Sequence, residues 1–267
     1  MKEFAGSIGQ GLLFVLAGVA RLWALGAAVV GYTVSAFFNK KKVIPREVLF
    51  RQMVLIGIDS TAIVSLVGAS VGTVLALQAA YSLKTFGALM YTGSLVCVAM
   101  ARELGPLIAS IVISGRIGAR MAAEIGTMMV QEEVDALTTM GINPIRYLVV
   151  PRVLALALML PCLTVIVDAM GMIGGWAIGV TGLGINSTLY IAKSIEALCL
   201  KDIYTGLLKS FIFSILIALV SCHQGLSVSG GADAVGKATT QAVVISIVLI
   251  IVVDCLATAV IYYALPT

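Results

Sequence analysis

The sequence predicts an all-α integral membrane protein with five membrane-spanning helices. Three observations support this class: 60% of the residues are hydrophobic, only 11% are charged, and several apolar runs are unbroken. Soluble domains carry about 25% charged residues, and a hydrocarbon core about 30 Å thick takes roughly 20 apolar residues per helix. A β-barrel is excluded because its strands would alternate polar and apolar residues. The runs of sufficient length are Met53–Ala80, Ala88–Ile113, Val153–Leu183, Ile203–Cys222 and Gln241–Ala264.

Residues 1–52 are predicted to form a membrane-associated element followed by a basic cytosolic linker, and residues 53–267 to form the five-helix domain. The first part, Ile8–Phe38, is largely apolar and precedes Lys40–Lys42. Its segment Leu22–Phe38 has 17 residues, the lower limit for a spanning helix. The segment therefore either spans the bilayer or lies at its surface, with Arg21 and the lysines among the headgroups.

Basic residues are unequally divided between the two sides of the predicted bundle. Cytosolic loops of membrane proteins carry an excess of Lys and Arg. The richer side is therefore predicted to face the cytosol, and the C-terminus to lie outside. The richer side holds Lys40, Lys41, Lys42, Arg46, Arg51, Arg116, Arg120, Arg146, Arg152 and Lys237, and the other side holds Lys84, Lys193, Lys201 and Lys209.

A charged, amphipathic insert, Gln131–Arg152, separates the second and third apolar runs on the predicted cytosolic side. It opens with three acidic residues, which favour the start of a helix, and an apolar residue then recurs every third position. Gly141 and Pro144 are typical helix-ending residues. The pattern predicts a short helix whose apolar stripe another surface receives, although an ordinary solvated loop would also fit. The acidic residues are Glu132, Glu133 and Asp135, and the stripe is Val134, Leu137 and Met140.

Ionisable residues within apolar runs are costly in a bilayer and often functional. Arg102 and Glu103 lie in the second run, shortly before Pro106, which predicts a kink or break. Adjacent residues do not share a helix face, so the two charges are expected to have different partners. They form either a polar floor in a central cavity or ion pairs that lock helices together. The single acids are predicted to form interhelical hydrogen bonds or to snorkel toward the membrane surface, rather than to form a proton relay; they are Asp59, Asp168 and Asp254.

A glycine stripe recurs every four residues in the third run, at Gly171, Gly175 and Gly179. Small residues on one helix face allow another backbone to approach closely, so these glycines are predicted to serve helix packing.

No catalytic or metal-binding constellation is predicted, and one apparent nucleotide motif is rejected. Residues 231–239 read GADAVGKAT, which resembles a phosphate-binding loop. However, Ala238 occupies the position of the hydroxyl that would hold Mg²⁺, and a strand does not precede the loop. No aromatic-rich basic patch suggests nucleic-acid binding. Any ATP that drives this protein is therefore predicted to bind another chain, and this chain itself is predicted to need no cofactor.

Four segments in the same order resemble the MlaE/YrbE permeases, the membrane subunits of ABC lipid transporters associated with MCE proteins. They are ARELGP (Ala101–Pro106), SGRIGARMAAEIGTM (Ser114–Met128), QEEVDALTTMGINP (Gln131–Pro144) and GKATTQAVV (Gly236–Val244).

The resemblance implies a homodimeric ABC permease, with five spanning helices per protomer after an N-terminal interfacial helical element. It further implies two ATPase subunits below, holding ATP and Mg²⁺, and a hexameric ring of MCE subunits on the periplasmic side. The implied function is ATP-driven phospholipid transport between the inner and outer membranes. The location would be the inner membrane of a diderm bacterium, or the membrane of a related organelle. The alternatives are a secondary carrier and an ABC importer of sterols or other lipids.

The resemblance also assigns roles to individual residues. The coupling helix, at about residues 131–143, would dock on the ATPase through Glu132, Glu133, Asp135, Ala136, Leu137 and Gly141. A lipid cavity at the dimer centre would be bordered by Leu75, Gln78, Tyr81, Arg102 and Glu103.

Overall fold

In a computed structural model, the protein is a bundle of helices, described for residues 18, 20–33 and 46–264. Five helices in these residues are long and apolar enough to cross a membrane, which confirms the all-α class with five candidate spans. They are α2 (Arg46–Thr85), α3 (Leu89–Val130), α5 (Ile145–Thr181), α7 (Leu200–Leu226) and α8 (Ala232–Ala264). Three shorter helices complete the described chain: α1 (residues 20–33), α4 (Glu133–Thr139) and α6 (Ser187–Ala197).

The short helices α4 and α6 mark the two ends of the bundle. Helix α4 joins α3 to α5 at one end, hereafter the α4 end, and α6 joins α5 to α7 at the other, the α6 end. Helix α5 packs along α2 and also contacts α7, which in turn contacts α3 and α8. Helix α8 buries the smallest share of its apolar length. The charged insert therefore lies at the opposite end of the bundle from α6.

Helix α3 is longer than the apolar run predicted for it. The predicted run ends at Ile113, but the helix continues to Val130. The added turns carry Arg116, Arg120 and Glu124, which lower hydropathy without breaking the backbone hydrogen bonds of a helix. Because hydropathy reports compatibility with lipid, it underestimates helices that extend beyond the hydrocarbon.

Pro106 does not break α3. The residues just before it, Met100–Leu104, form a π-helical turn, and the helix then continues. A π-helical turn shifts the hydrogen-bond register by one residue, which accommodates the donor that proline lacks. The expected disturbance near Arg102 and Glu103 is therefore a local change of helix type.

The glycine stripe of α5 has two different neighbours. A Cβ at Gly171 would press on Met100 of α3 and lie 3.3 Å from the carbonyl oxygen of Gly68 on α2, so at this position two backbones approach closely. At Gly179 the neighbour is instead Tyr190 of α6, whose ring fills a slot in α5. Gly175 lies between the two, because a Cβ there would meet Val96 of α3, the Tyr190 hydroxyl and the carbonyl oxygen of Gly72 on α2. The predicted role in packing therefore divides between a backbone contact and an aromatic anchor.

Tyr190 holds α6 against the bundle. The side chain is fully buried, and its hydroxyl has no hydrogen-bond partner within the described residues. Burial raises the pKa of this phenol to about 12, because the apolar slot disfavours the charged phenolate. Asn186 begins the helix by accepting the backbone N–H of Thr188 at 2.9 Å, as N-cap residues do.

Replacing Gly72 with alanine is expected to destabilise the protein. An added Cβ would collide with the backbone carbonyl of Gly171, and overpacking of this kind costs about 1–3 kcal/mol. Thermal unfolding in detergent measures the effect. The matched control is Gly236→Ala in α8, where a Cβ meets nothing within 4 Å. An unchanged midpoint for Gly72→Ala would contradict the close approach of α2 and α5.

Candidate functional site

A buried lysine joins three helices inside the bundle. Lys209 of α7 is 1% exposed, and its ammonium pairs with the carboxylate of Glu103 on α3. It also lies 3.0 Å from Asp254 Oδ1 on α8 and donates to Thr258 Oγ1 at 2.7 Å. A buried cation is tolerated when it is paired and hydrogen-bonded. Glu103 and Thr258 accept hydrogen bonds from Lys209, and Asp254 adds a second opposite charge, although its Oδ1 meets the criteria of an ion pair and not of a hydrogen bond.

Arg102 has a different partner from Glu103. Its Nε and Nη2 both donate to Oδ1 of Asp202 on α7, at 2.9 and 2.5 Å. Asp202 is 3% exposed, and its other oxygen accepts the backbone N–H of Cys199 at the start of α7. The side chain of Arg102 stays 47% exposed. The adjacent charges on α3 therefore both lock this helix to α7, through separate ion pairs.

Lys209 is the main residue that sequence reasoning placed wrongly. The distribution of basic residues predicts that Lys209 lies on the outer side of the membrane with loop lysines, whereas the residue lies within α7. The available signal was its position inside the predicted run Ile203–Cys222, where an isolated lysine calls for acidic partners on other spans. Asp202, the partner of Arg102, was not singled out either.

The other intramembrane acids have unlike surroundings. Asp254 contributes to an interhelical ion pair with Lys209. Asp168 of α5 is packed against Gly105 of α3, and its Oδ1 has no hydrogen-bond partner within the described residues. Asp59 is exposed, and its backbone carbonyl accepts a hydrogen bond from Arg116. These three acids are thus held by different elements and do not form one chain of groups.

An apolar cavity of about 430 Å³ lies beside the charged residues of α3. The ion-paired residues Arg102 and Glu103 supply its charged edge. The structure thus shows the second alternative drawn from sequence, ion pairs that lock helices together, and the polar floor of a central cavity stays a prediction. The lining residues come from α2, α3 and α6: Leu83, Tyr91, Ser94, Leu95, Val98, Ala99, Arg102, Glu103 and Ala197.

The predicted cavity residues of α2 lie outside this lining. Leu75 is partly buried against the core, whereas Gln78 and Tyr81 are exposed. Tyr81 is 79% exposed, so it lies on the outer surface of the chain. Leu83, one half-turn further along, is the α2 residue that reaches the cavity.

Helix α4 presents its acidic residues outward. Glu132, Glu133, Asp135, Ala136 and Gly141 are exposed, and Leu137 is partly buried. The apolar stripe divides: the side chain of Val134 is buried against the protein itself, whereas Met140 is 64% exposed. Within the described residues, one end of the stripe is thus covered by the chain, and the other remains available to another surface.

Both ends of α4 have well-defined backbone geometry. The helix is preceded by Glu132, which adopts the left-handed conformation at φ 59° and is the one non-glycine residue described with a positive φ. After the helix, Gly141 adopts φ 74° and donates to Thr138 O at 3.0 Å, and Ile142 donates to Leu137 O at 2.9 Å. This paired pattern is a Schellman motif. The helix therefore ends where Gly141 predicts.

Comparison with known proteins identifies the family. Residues 49–260 match the family described as "Permease MlaE". A "Probable ABC transporter permease protein" of Rickettsia typhi is 40% identical over 81% of this chain and 83% of its own. A protein of the same description from Synechocystis is 40% identical over 78% of this chain and 80% of its own. "Protein TRIGALACTOSYLDIACYLGLYCEROL 1, chloroplastic" of Arabidopsis thaliana is 36% identical over 76% of this chain and 58% of its own.

The match covers all five candidate spans, the charged cluster and α4. Permease subunits of ABC transporters are not enzymes, and they work with a separate ATPase. The chain belongs to the MlaE family of ABC transporter permeases.

Proposed function

We propose that this permease moves phospholipid between two membranes, using ATP hydrolysed by its partner and a route continued by a periplasmic MCE protein. The observation that carries the proposal is the cavity beside α3, which has apolar walls and a half-exposed arginine at its edge. Acyl chains fit walls such as Leu95 and Val98, and a guanidinium binds phosphate oxygens well. This combination suits an amphiphile with an anionic headgroup.

The cavity of one protomer supports a homodimer. It is open to the surface, and its volume of about 430 Å³ is that of a site for a small molecule. In the proposal, a second copy supplies the remaining walls at the dimer centre. The exposed residues Gln78 and Tyr81 then belong to the surface shared by the two protomers.

The N-terminal element is proposed to lie along the cytosolic surface of the inner membrane. Helix α1 contacts the α4 end of the bundle at two points. Asn143, which follows α4, donates to the Tyr32 hydroxyl at 2.9 Å, and a Cβ at Gly26 would lie 3.3 Å from Leu219, near the same end of α7. The two points lie about 9 Å apart along α1, and both support a position of this helix beside the α4 end. Residues 1–17, 19 and 34–45 of this element lie outside the described residues.

The energy source follows from the cost of extracting lipid. Each buried CH₂ group contributes about 0.8 kcal/mol, so removing two acyl chains from a bilayer needs external work or a continuous apolar path. In the proposal, the ATPase dimer supplies the work through α4, and the hexameric MCE ring supplies the apolar path. Helix α4 suits this role because its acidic side chains and Met140 are exposed at one end of the bundle.

A glycolipid or another lipid is the second candidate cargo. The Arabidopsis relative bears the name of a galactolipid, trigalactosyldiacylglycerol. Such a headgroup is uncharged, so it would need hydrogen bonds where a phospholipid needs a cation. Removing the charge of Arg102 is therefore expected to affect the two classes of cargo differently.

Purification and reconstitution test the proposed function. An ATPase and an MCE protein are expected to co-purify with the chain, and vesicles holding the complex are expected to move labelled phospholipid only with ATP. The double variant Arg102→Gln with Asp202→Asn removes both charges of this ion pair and so leaves no buried carboxylate without its partner. It is expected to reduce phospholipid movement at least tenfold and to affect neutral galactolipid or sterol much less. Tyr91→Phe, also in the lining, is the matched control, because it removes one hydroxyl and keeps the ring. Transport by the chain alone without nucleotide would contradict the proposal and favour a secondary carrier.

A further inference from the structure

An ion pair closes the base of the loop that carries α4. Helix α3 leads into α4, and α5 leads away from it. Glu124 on the last turns of α3 accepts from Arg152 Nη2 at 3.1 Å, across to the beginning of α5. Its other oxygen accepts from Arg120 Nε at 2.7 Å, one turn earlier on α3. The carboxylate of Glu124 thus bridges the two helices on either side of α4.

Arg152 depends on Glu124 for its charge balance. It is 8% exposed, and within the described residues Glu124 is the carboxylate that pairs with it. Its Nη1 donates to the carbonyl oxygen of Leu148 at 2.9 Å, and its Nε is buried without a hydrogen-bond partner. A buried cation that loses its counter-ion is strongly disfavoured. The pair therefore holds α3 and α5 at a fixed separation.

The same arginine fixes an unusual turn. Helix α5 begins with a π-helical turn, Ile145–Val149, and the Leu148 carbonyl that Arg152 binds belongs to it. Such turns are found frequently at functional sites. Asn143 Oδ1 caps the other side of this turn by accepting the N–H of Ile145 at 3.0 Å. Arg152 thus connects the exit from α4 with the end of α3.

The end of α3 is held independently by α7. A Cβ at Gly225 of α7 would lie 3.0 Å from the carbonyl oxygen of Ala122 and 2.8 Å from Ile125. Helix α4 itself contacts the end of α3. A displacement of α4 therefore reaches α3 by direct packing, whereas its path to the start of α5 passes through the short connecting loop and the Glu124–Arg152 pair.

We propose that the Glu124–Arg152 ion pair is the joint that makes α3 and α5 move together when α4 is displaced. This inference rests on the proposed docking of the ATPase at α4. Both residues are positioning residues, because neither reaches the cavity beside Arg102. Without the pair, α3 follows α4 while α5 stays behind, so ATP is hydrolysed with little lipid moved.

The test compares lipid moved per ATP in the reconstituted complete complex. Glu124→Gln is expected to bind the ATPase and hydrolyse ATP near the wild-type rate, but to move at least fivefold less lipid per ATP. The double variant Glu124→Gln with Arg152→Gln removes the unpaired buried charge, so it guards against a simple folding defect. It is expected to show the same loss. The control is Asp233→Asn, which breaks an exposed ion pair with Lys237 at the same end of the bundle.

Each outcome decides the question. If either variant folds and moves the wild-type amount of lipid per ATP, the Glu124–Arg152 pair does not couple α3 to α5. Failure of both variants to assemble would give the pair a purely structural role and overturn the joint equally. If the wild-type complex neither binds an ATPase nor moves lipid, the proposed function fails, and the joint fails with it.

Discussion

Replacing Lys209 with methionine is expected to lower the free energy of unfolding by about 3–5 kcal/mol, the usual cost of removing one member of a buried ion pair. The substitution preserves side-chain length but leaves the carboxylates of Glu103 and Asp254 without their cation. Two uncompensated acids at this depth repel each other and lose solvation. Unfolding of the purified permease in detergent, followed by circular dichroism, measures the loss.

A triple variant separates the contribution of these three charges to stability from their contribution to transport. Combining Lys209→Met with Glu103→Gln and Asp254→Asn removes all the charge, so stability is expected to recover by most of the loss. Replacing a buried ion pair by neutral groups is often neutral for stability. If the triple variant is as unstable as Lys209→Met, packing rather than charge explains the effect. If it is stable but moves no lipid, the charges serve transport as well as helix locking.

The sequence was sufficient to predict the class of fold because the determining signal is local. Each of the five spans is an apolar run long enough for a bilayer, and no knowledge of its neighbours is needed. The end of α4 was also predictable, since Gly141 supplies a left-handed position that few other residues adopt easily. Boundaries were less predictable where a helix leaves the membrane, as α3 does beyond Ile113.

Features that depend on partners distant in sequence were harder to predict. Arg102 and Glu103 could be recognised as intramembrane charges, but their partners Asp202 and Lys209 lie about one hundred residues away. Hydropathy does not encode which helix faces which. The position of Tyr190 was equally hard to predict, because the slot that holds its ring forms only when the glycines of α5 face α6. Helix α6 was not predicted, although Asn186 gives a recognisable N-cap signal.

Reversing two charges on α4, as Glu132→Lys with Glu133→Lys, is expected to weaken ATPase binding at least tenfold, or about 1.4 kcal/mol or more. Both side chains are exposed at the predicted cytosolic end. An ATPase surface that complements the two carboxylates would repel the lysines that replace them. The permease itself is expected to remain folded, since surface substitutions away from special contacts change stability by less than about 0.5 kcal/mol. Co-purification and titration of the ATPase measure the change.

The control for this prediction is Asp233→Lys, which reverses an exposed acid at the same end of the bundle. Asp233→Lys changes the net charge by the same amount as each of the two α4 substitutions, but it lies outside α4. ATPase binding is therefore expected to stay within about threefold of wild type, which is less than the tenfold change that 1.4 kcal/mol represents. Equal weakening by both substitutions would indicate general electrostatic attraction. Normal assembly of the Glu132→Lys, Glu133→Lys variant would show that α4 is not the docking element.

The backbone at Glu132 allows a sharper form of the same test. A left-handed conformation costs a non-glycine residue about 1–2 kcal/mol, and Glu132 adopts it with no capping hydrogen bond from its side chain. Glu132→Gly relieves this strain, so the isolated permease is expected to become more stable by up to about 1 kcal/mol. It also deletes a carboxylate, so ATPase binding is expected to weaken. If stability rises while ATPase binding weakens, the Glu132 carboxylate serves the complex. If stability and ATPase binding both fall, Glu132 is a structural residue.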